Sequence, residues 1–456
     1  MEIINPATEE VIKEIQGDTS QTILEKYDQL RLGQVSWANI PLADRINIIQ
    51  KFSDLLKTNI DKLASTLTEE MGKPLSQSLN EIKGARKRIK FFLENSEMWL
   101  STEVVHTEDN LQEEIKYEPL GVIANISAWN YPYLVGVNVF IPALIGGNAV
   151  LYKPSELTAL TGLEIQRLMH EAGIPENVFQ AVIGAKEAGE ALLALPLDGY
   201  FFTGSYKTGK YIYEKVAPKM VQCQMELGGK DPLYVTDDVE NIHEVAQAAA
   251  GGAFYNAGQS CCSVERIYVH EKSVDRFIDA FVKEVESYQI GGPTISDVFI
   301  GPLAREPQLE YLKTQVDEAI EQGAELKTGG KIADCTGYYF QPTVLSNVTH
   351  DMRVMKEESF GPVIGIQSVA SDDEAISLMQ DTVYGLTASV YTRNKDRADS
   401  IMKKMKTGSV YWNCCDRVSA NLPWSGRGNS GIGSTLSHLG IRAFVQPKAY
   451  HFNGPQ

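Results

Sequence analysis

Five short apolar runs, "GVIANIS", "NAVLYKP", "VFQAVIG", "GYFFTG" and "VQCQMEL", follow one another between residues 121 and 227, several of them separated by amphipathic segments such as "LTGLEIQRLMHEAG". Apolar strands joined through helices are the pattern of a parallel, doubly wound α/β sheet. A second series follows "GGKDP": the strand "PLYVTD", the alanine-rich helix "IHEVAQAAAGGAF", the strand "ERIYVHE" and the helix "SVDRFIDAFVKEVESY". Two α/β domains are therefore expected, with a boundary near Gly228 and Gly229, where glycine and a change of register coincide. The first hundred residues are helical in period, as in "LADRINIIQKFSDLLKTNIDKLASTLTEEMG", with Gly72 as a stop.

The 456 residues are enough for two or three domains at roughly 150 residues each. A net charge of -17 disfavours nucleic acid or an anionic membrane as the main partner. The start "MEIINPATEEVIKEI" has neither the basic n-region nor the apolar run of a signal peptide, so the six cysteines are expected as reduced thiols in a cytoplasm. Residues 121–152 carry no charge, but Asn125, Asn130, Asn138, Asn148, Pro132 and Pro142 interrupt them. They read as a buried strand, loop and helix rather than a membrane span.

Two adjacent thiols, Cys261 and Cys262, stand in the small-residue loop of "YNAGQSCCSVERIYVHE". They admit three readings: a metal ligand set, an inert buried pair, or one reactive thiol with a bystander. Zinc sites use a two-residue spacer, which Cys261, Cys262, Cys414 and Cys415 lack, so no metal is expected. Phosphate cradles are similarly ambiguous. The one G-x-G-x-x-G, "GRGNSG" at residues 426–431, follows no clear strand and reads as a decoy. In "YFFTGSYKTGK" a strand ends at Thr203, Gly204 makes the turn, and Ser205 opens a helix whose free amides suit a pyrophosphate. In "NAVLYKPSE", Lys153 and Glu156 at a strand end suit ribose hydroxyls, though a solvated strand end is the ordinary alternative.

In this order "NISAWNYP", "LYKPSE", "FTGS", "MELGGKDP", "GQSCCS", "KEESFGPV" and "YGLTASVYT" resemble the aldehyde dehydrogenase superfamily over nearly the whole chain. The resemblance implies a Rossmann-like cofactor domain without the usual glycine fingerprint, an α/β catalytic domain and a small β oligomerisation arm. The expected division is 1–97 and 119–228 for the NAD-binding domain, 229–430 for the catalytic domain, and 98–118 with 431–456 for the arm. It implies an enzyme that oxidises a small-molecule aldehyde to the acid with NAD. Cys261 is then the nucleophile, the Asn130 side-chain amide and the Cys261 backbone amide stabilise the oxyanion, and Glu226 activates the water that hydrolyses the thioester. A thiolate suits this task because it adds to an aldehyde carbon without further activation of the electrophile.

The same resemblance puts Trp129 and Ser205 near the pyrophosphate, Lys153 and Glu156 on the adenosine ribose, and Glu358 with Phe360 around the nicotinamide ribose. Gly204 and Leu227 fit close backbone approach. The Glu156 carboxylate would repel a ribose phosphate, so NAD is expected over NADP. Two departures stand out: Val139 replaces a lysine common in relatives, and Gly428 replaces another near the carboxyl terminus. The substrate passage is implied by Tyr131, Leu134, Asn138, Ser260, Cys262 and "CCDRVS". Arg417 would suit an anionic semialdehyde, and an ordinary ion pair or surface residue is its other reading. The segments "TEVVHTEDNLQEEIKYEP" and "RAFVQPKAYHF" imply a homodimer or homotetramer. A catalytically silent binding or structural homologue is the remaining alternative.

Overall fold

In the computed structural model, which describes residues 1–454, the central apolar runs become five parallel strands. They are Val122–Ile126, Ala149–Lys153, Phe179–Ala181, Gly199–Thr203 and Gln222–Glu226. The first strand pairs with both the second and the fourth, so the chain winds outward one way, returns, and winds outward the other way. The seam between Val122–Ile126 and Gly199–Thr203 is thus a topological switch point, where open α/β sheets bind ligands at the carboxyl ends of their strands. Helices Ser20–Ala38 and Pro132–Ile145 pack on the sheet, which explains why the strands are apolar on both faces.

The second series forms a seven-stranded sheet ordered Glu325–Thr328, Thr343–Ser346, Val363–Val369, Val264–His270, Asp231–Val235, Thr387–Tyr391, Ser409–Trp412. All its pairings are parallel except that of the outermost Glu325–Thr328. Each sheet has its own apolar core: Val150, Phe179 and Tyr200 belong to one, Leu233, Ile267 and Ile364 to the other. This is the α/β architecture expected from the alternating runs.

A third, antiparallel sheet joins Glu103–Glu108, Leu111–Pro119 and Val445–Asn453. Within the segment 431–456, Gly431–Ile432 pairs antiparallel with Gln222–Glu226, and Val445–Asn453 joins the three-stranded sheet. Residues 455 and 456 of that segment lie outside the described residues.

The uncharged stretch 121–152 folds as strand, loop, helix and strand, and among the described residues no helix is long and apolar enough to cross a membrane. The amino-terminal helical pattern divides into Leu42–Thr58 and Ile60–Met71, the second closed by Gly72 at φ 81. Helix Leu75–Leu100 starts after Pro74 and packs against helix Pro132–Ile145. That position matters below, because it carries two charged side chains to the site.

Candidate active site

Helix Ile242–Phe254 hands over to a short turn, Tyr255–Gly258, in which Asn256 (φ 56) and Ala257 (φ 53) are left-handed ahead of Gly258 (φ 70). A side chain in that region costs roughly 1 to 2 kcal/mol, so the turn is held by its surroundings. Gln77 Oε1 accepts from the Asn256 amide at 2.9 Å, and Gln259 Oε1 accepts from the Ala304 amide at 2.9 Å. A Cβ at Gly258 would lie 2.3 Å from the Gly361 carbonyl oxygen, so only glycine fits between these backbones. Gln259 therefore acts as a brace, and it delivers Cys261 and Cys262 to the entrance of strand Val264–His270.

The two thiols are not equivalent. Cys262 is buried, and its Sγ donates to Asp416 Oδ1 at 3.1 Å. Its contact with Cys261, together with burial and the Asp416 charge, raises its pKa well above the ordinary thiol value. Cys262 thus keeps its proton, while Cys261 is half-buried and retains accessible surface. Asp416 is itself pushed up to about 6 by burial, with the Cys262 hydrogen bond and the Arg417 charge acting in the opposite direction.

Asn130 is tied to the same loop. Its Nδ2 donates to the Gln259 carbonyl at 3.1 Å, two residues ahead of Cys261, which leaves the second amide hydrogen uncommitted. Its backbone carbonyl accepts from Lys73 Nζ at 2.6 Å and from Asn256 Nδ2 at 3.3 Å. Lys73 in turn pairs with Glu81, both side chains fully buried, and Glu81 Oε1 accepts from the Tyr133 amide at 2.9 Å. Lys73 also stands 3.8 Å above the Tyr131 ring. One buried ion pair therefore fixes the whole Asn130–Tyr133 turn.

Glu226 ends its strand partly buried and accepts a hydrogen bond from Thr435 Oγ1. Burial pushes its carboxyl up to about 7, against the lowering effects of Thr435 and of the Arg88 guanidinium. Val139 is buried in its helix, so no cation stands at that position; the positive charge felt by Glu226 comes from Arg88 on helix Leu75–Leu100.

The residues expected for the cofactor gather along one edge. Trp129, Glu156, Gly204, Ser205 and Leu227 each follow the carboxyl end of a parallel strand, and Lys153 is the last residue of one. Lys153 Nζ lies 3.9 Å from Glu156 Oε2, with the lysine buried and the glutamate exposed. Ser205 caps helix Tyr206–Val216, accepting from the Thr208 amide. A Cβ at Gly209 would meet Leu227 Cδ2 at 2.3 Å, so helix and strand end approach closely.

Glu358 and Phe360 reach the same edge from the other domain. The Gly229 amide donates to Glu358 Oε1 at 3.0 Å, and burial with the nearby Glu265 charge raises the Glu358 carboxyl to about 8. Phe360 meets Trp129 edge to face, with ring centroids 5.6 Å apart. Glu265 holds this loop by accepting from the Ser359 and Phe360 amides at 3.0 Å each, and Lys230 pairs with Glu265 at 2.6 Å.

Arg88, Thr435, Asp416 and the two lysine–glutamate pairs had no signal of their own in the sequence reading. The decoy "GRGNSG" folds as a tight turn at residues 428–430, and the Ser430 carbonyl within it accepts from the Leu227 amide at 3.0 Å. That turn is what returns Thr435 to Glu226. Arg417 is exposed, whereas Leu134 and Asn138 lie on helix Pro132–Ile145, Tyr131 caps its start, and Ser260 directly precedes Cys261. Among the described residues no group of three or more His, Cys, Asp or Glu could hold a metal ion.

Residues 1–450 match the model of the family described as "Aldehyde dehydrogenase family". A succinate-semialdehyde dehydrogenase [NADP(+)] of Deinococcus radiodurans is 32% identical over 98% of this chain and 93% of its own length. A chloroplastic betaine aldehyde dehydrogenase of Amaranthus hypochondriacus is 31% identical over 98% of this chain and 91% of its own. Among solved structures, lactaldehyde dehydrogenase from Escherichia coli superposes with a TM-score of 0.96 at 29% identity, covering 100% of this chain and 96% of that one.

Proposed function

The chain belongs to the aldehyde dehydrogenase family, NAD(P)-dependent enzymes that oxidise aldehydes, and we propose that it works through Cys261, Asn130 and Glu226 with NAD as the preferred cofactor. The observation that carries this reading is the hydrogen bond from Asn130 Nδ2 to the Gln259 carbonyl, which locks the amide beside the nucleophile loop. Cys261 Sγ attacks the aldehyde carbon, and the oxygen that becomes anionic meets the free Asn130 amide hydrogen and the Cys261 backbone N–H. Donors held in advance of the reaction stabilise that charge without reorganising. Cys262, kept protonated beside Asp416, cannot compete as the nucleophile.

The chemistry NAD supplies when bound is acceptance of the hydride. The acyl group then rests on Cys261 as a thioester. Glu226, poised near neutral pH by burial, takes a proton from water as that water attacks the thioester, and the acid leaves with Cys261 restored as thiolate.

The cofactor edge fits a dinucleotide. A Cβ at Gly228 would displace the Glu358 carboxylate, which stands 2.2 Å from that point, and the strand ends with the Ser205 helix start leave backbone free at the switch point. Trp129, Gly204, Ser205 and Leu227 would receive the pyrophosphate side, Lys153 and Glu156 the adenosine ribose, and Glu358 and Phe360 the nicotinamide ribose. Glu156 disfavours a 2′-phosphate by charge. The same reading takes residues 1–97 and 119–228 as the cofactor domain, residues 229–430 as the catalytic domain, and the three-stranded sheet as the contact of a homodimer or homotetramer. A cytoplasmic setting suits two adjacent free cysteine pairs.

The test is NADH formation with NAD and a panel of aliphatic, aromatic and semialdehyde substrates, with Cys261→Ala alongside. Turnover in the wild type and none in the variant is expected. Equal turnover in both would overturn the assignment of Cys261, and NAD binding without turnover of any aldehyde would point to a silent homologue.

A further inference from the structure

Helix Leu75–Leu100 carries a run of basic residues, "KGARKRIK", of which only one side chain is turned toward the catalytic groups. Arg88 Nη1 donates to the Leu134 carbonyl at 3.1 Å and to Asn138 Oδ1 at 3.0 Å. Those two bonds come from consecutive turns of helix Pro132–Ile145 and set the plane of the guanidinium. Its Nε and Nη2 have no acceptor in the protein, yet neither is a sealed orphan, so that edge of the fork opens onto accessible space. Glu226 exerts the largest charge effect on it, and Arg88 in turn lowers the Glu226 carboxyl, so the guanidinium stands near a reacting group.

Among the described residues no carboxylate lies within 4.0 Å of Arg88, although every buried lysine beneath this site has its own carboxylate. A half-buried guanidinium with no carboxylate in contact can still take up an anion as a direct partner. A planar fork with one side anchored and the other free matches a carboxylate, which it can meet with two parallel hydrogen bonds. Arg417, which the sequence offered either for this role or as an ordinary ion-pair or surface residue, is exposed.

We propose that Arg88 is the specificity-determining residue for the far end of the substrate and that the substrate is an aldehyde bearing a distal carboxylate, converted to a dicarboxylate. This deepens the proposed function and rests on it. Asn138 holds the guanidinium in register through its side-chain oxygen. The nearby Glu226 carboxylate is the group most exposed to the choice of substrate: an anion on Arg88 withdraws the cation that favours its ionised form.

The experiment compares kcat/KM for succinic semialdehyde and for butanal, in wild type, Arg88→Met and Arg88→Lys, with NAD saturating. The expected result is a fall of roughly 100-fold in the ratio of the two values in Arg88→Met, the order of a lost charge-assisted pair, with substantial recovery in Arg88→Lys. Binding of succinate to the oxidised-cofactor complex, followed by calorimetry, reads the same contact without turnover. Loss of succinate binding in Arg88→Met with NAD binding retained supports the proposal even if no aldehyde is oxidised. An unchanged ratio, or succinate that binds both proteins equally, overturns it.

Discussion

Two buried lysine–glutamate pairs stand under the site, one in each domain, and they differ in what they hold. Lys73–Glu81 grips the turn that carries Asn130, through the Asn130 carbonyl and the Tyr133 amide. Lys230–Glu265 grips the loop of Glu358 and Phe360, through two backbone amides and the Ser359 hydroxyl. Burying such pairs brings little net stability, because desolvation offsets attraction. Their use here is positional: each carboxylate has oxygens to spare for the backbone of a functional segment. On the proposed reading the first pair supports the chemistry and the second the cofactor, so the two should fail differently.

Removing one partner of the first pair should have the largest effect. In Lys73→Met the buried Glu81 loses its counterion, at about 3 to 5 kcal/mol of stability, and Asn130 loses its anchor. Roughly 100-fold loss of kcat is expected from the misplaced oxyanion donor, with the dissociation constant for NAD changed far less. A variant that melts lower but keeps its kcat would break the comparison.

Glu265→Gln should act on the other side. A charge-assisted hydrogen bond is worth about 1.5 to 3 kcal/mol, so the KM for NAD should rise by roughly tenfold or more while kcat with saturating NAD moves little. Equal losses in both parameters would mean that the two pairs are not separable.

Between the two lies Glu226, which neither pair touches. Its carboxyl, near 7, must be ionised to accept a proton from water, so the rate of thioester hydrolysis should fall as pH drops through about 7. Thr435 favours the ionised form by donating to it. In Thr435→Val the acid limb of the pH profile should therefore move upward by about one unit, equivalent to ~1.4 kcal/mol. No movement of the limb would assign it to another group.

The smallest expected effect is at Glu156, exposed and held by no buried pair. Glu156→Ser should raise the NADP/NAD ratio of kcat/KM by about tenfold or less, the loss of one screened repulsion. An unchanged ratio would remove Glu156 from cofactor choice.

How legible each part was follows from how local its cause is. The strands were plain because burial on both faces leaves a continuous apolar signature, and Cys261, Asn130 and Glu226 stood in short motifs at strand or helix ends. Arg88 was hidden because it is one of five basic residues within eight positions, and only the rotation of its helix separates it from Lys83, Arg86, Lys87 and Lys90. Thr435 was hidden because 209 residues separate it from Glu226, and no periodicity reports on such a contact. The same distance hides the pairing of Gly431–Ile432, which has the composition of a turn but finds a strand edge to complete.

The two left-handed residues ahead of the Cys261 loop, Asn256 and Ala257, have a consequence in time and temperature. Their conformation is imposed from outside, through Gln77, Gln259 and the tight fit at Gly258, so it relaxes as soon as those neighbours loosen. On warming, the direction of the Cys261 thiol should therefore be lost before the sheets unfold, so that activity falls at a lower temperature than the secondary structure melts.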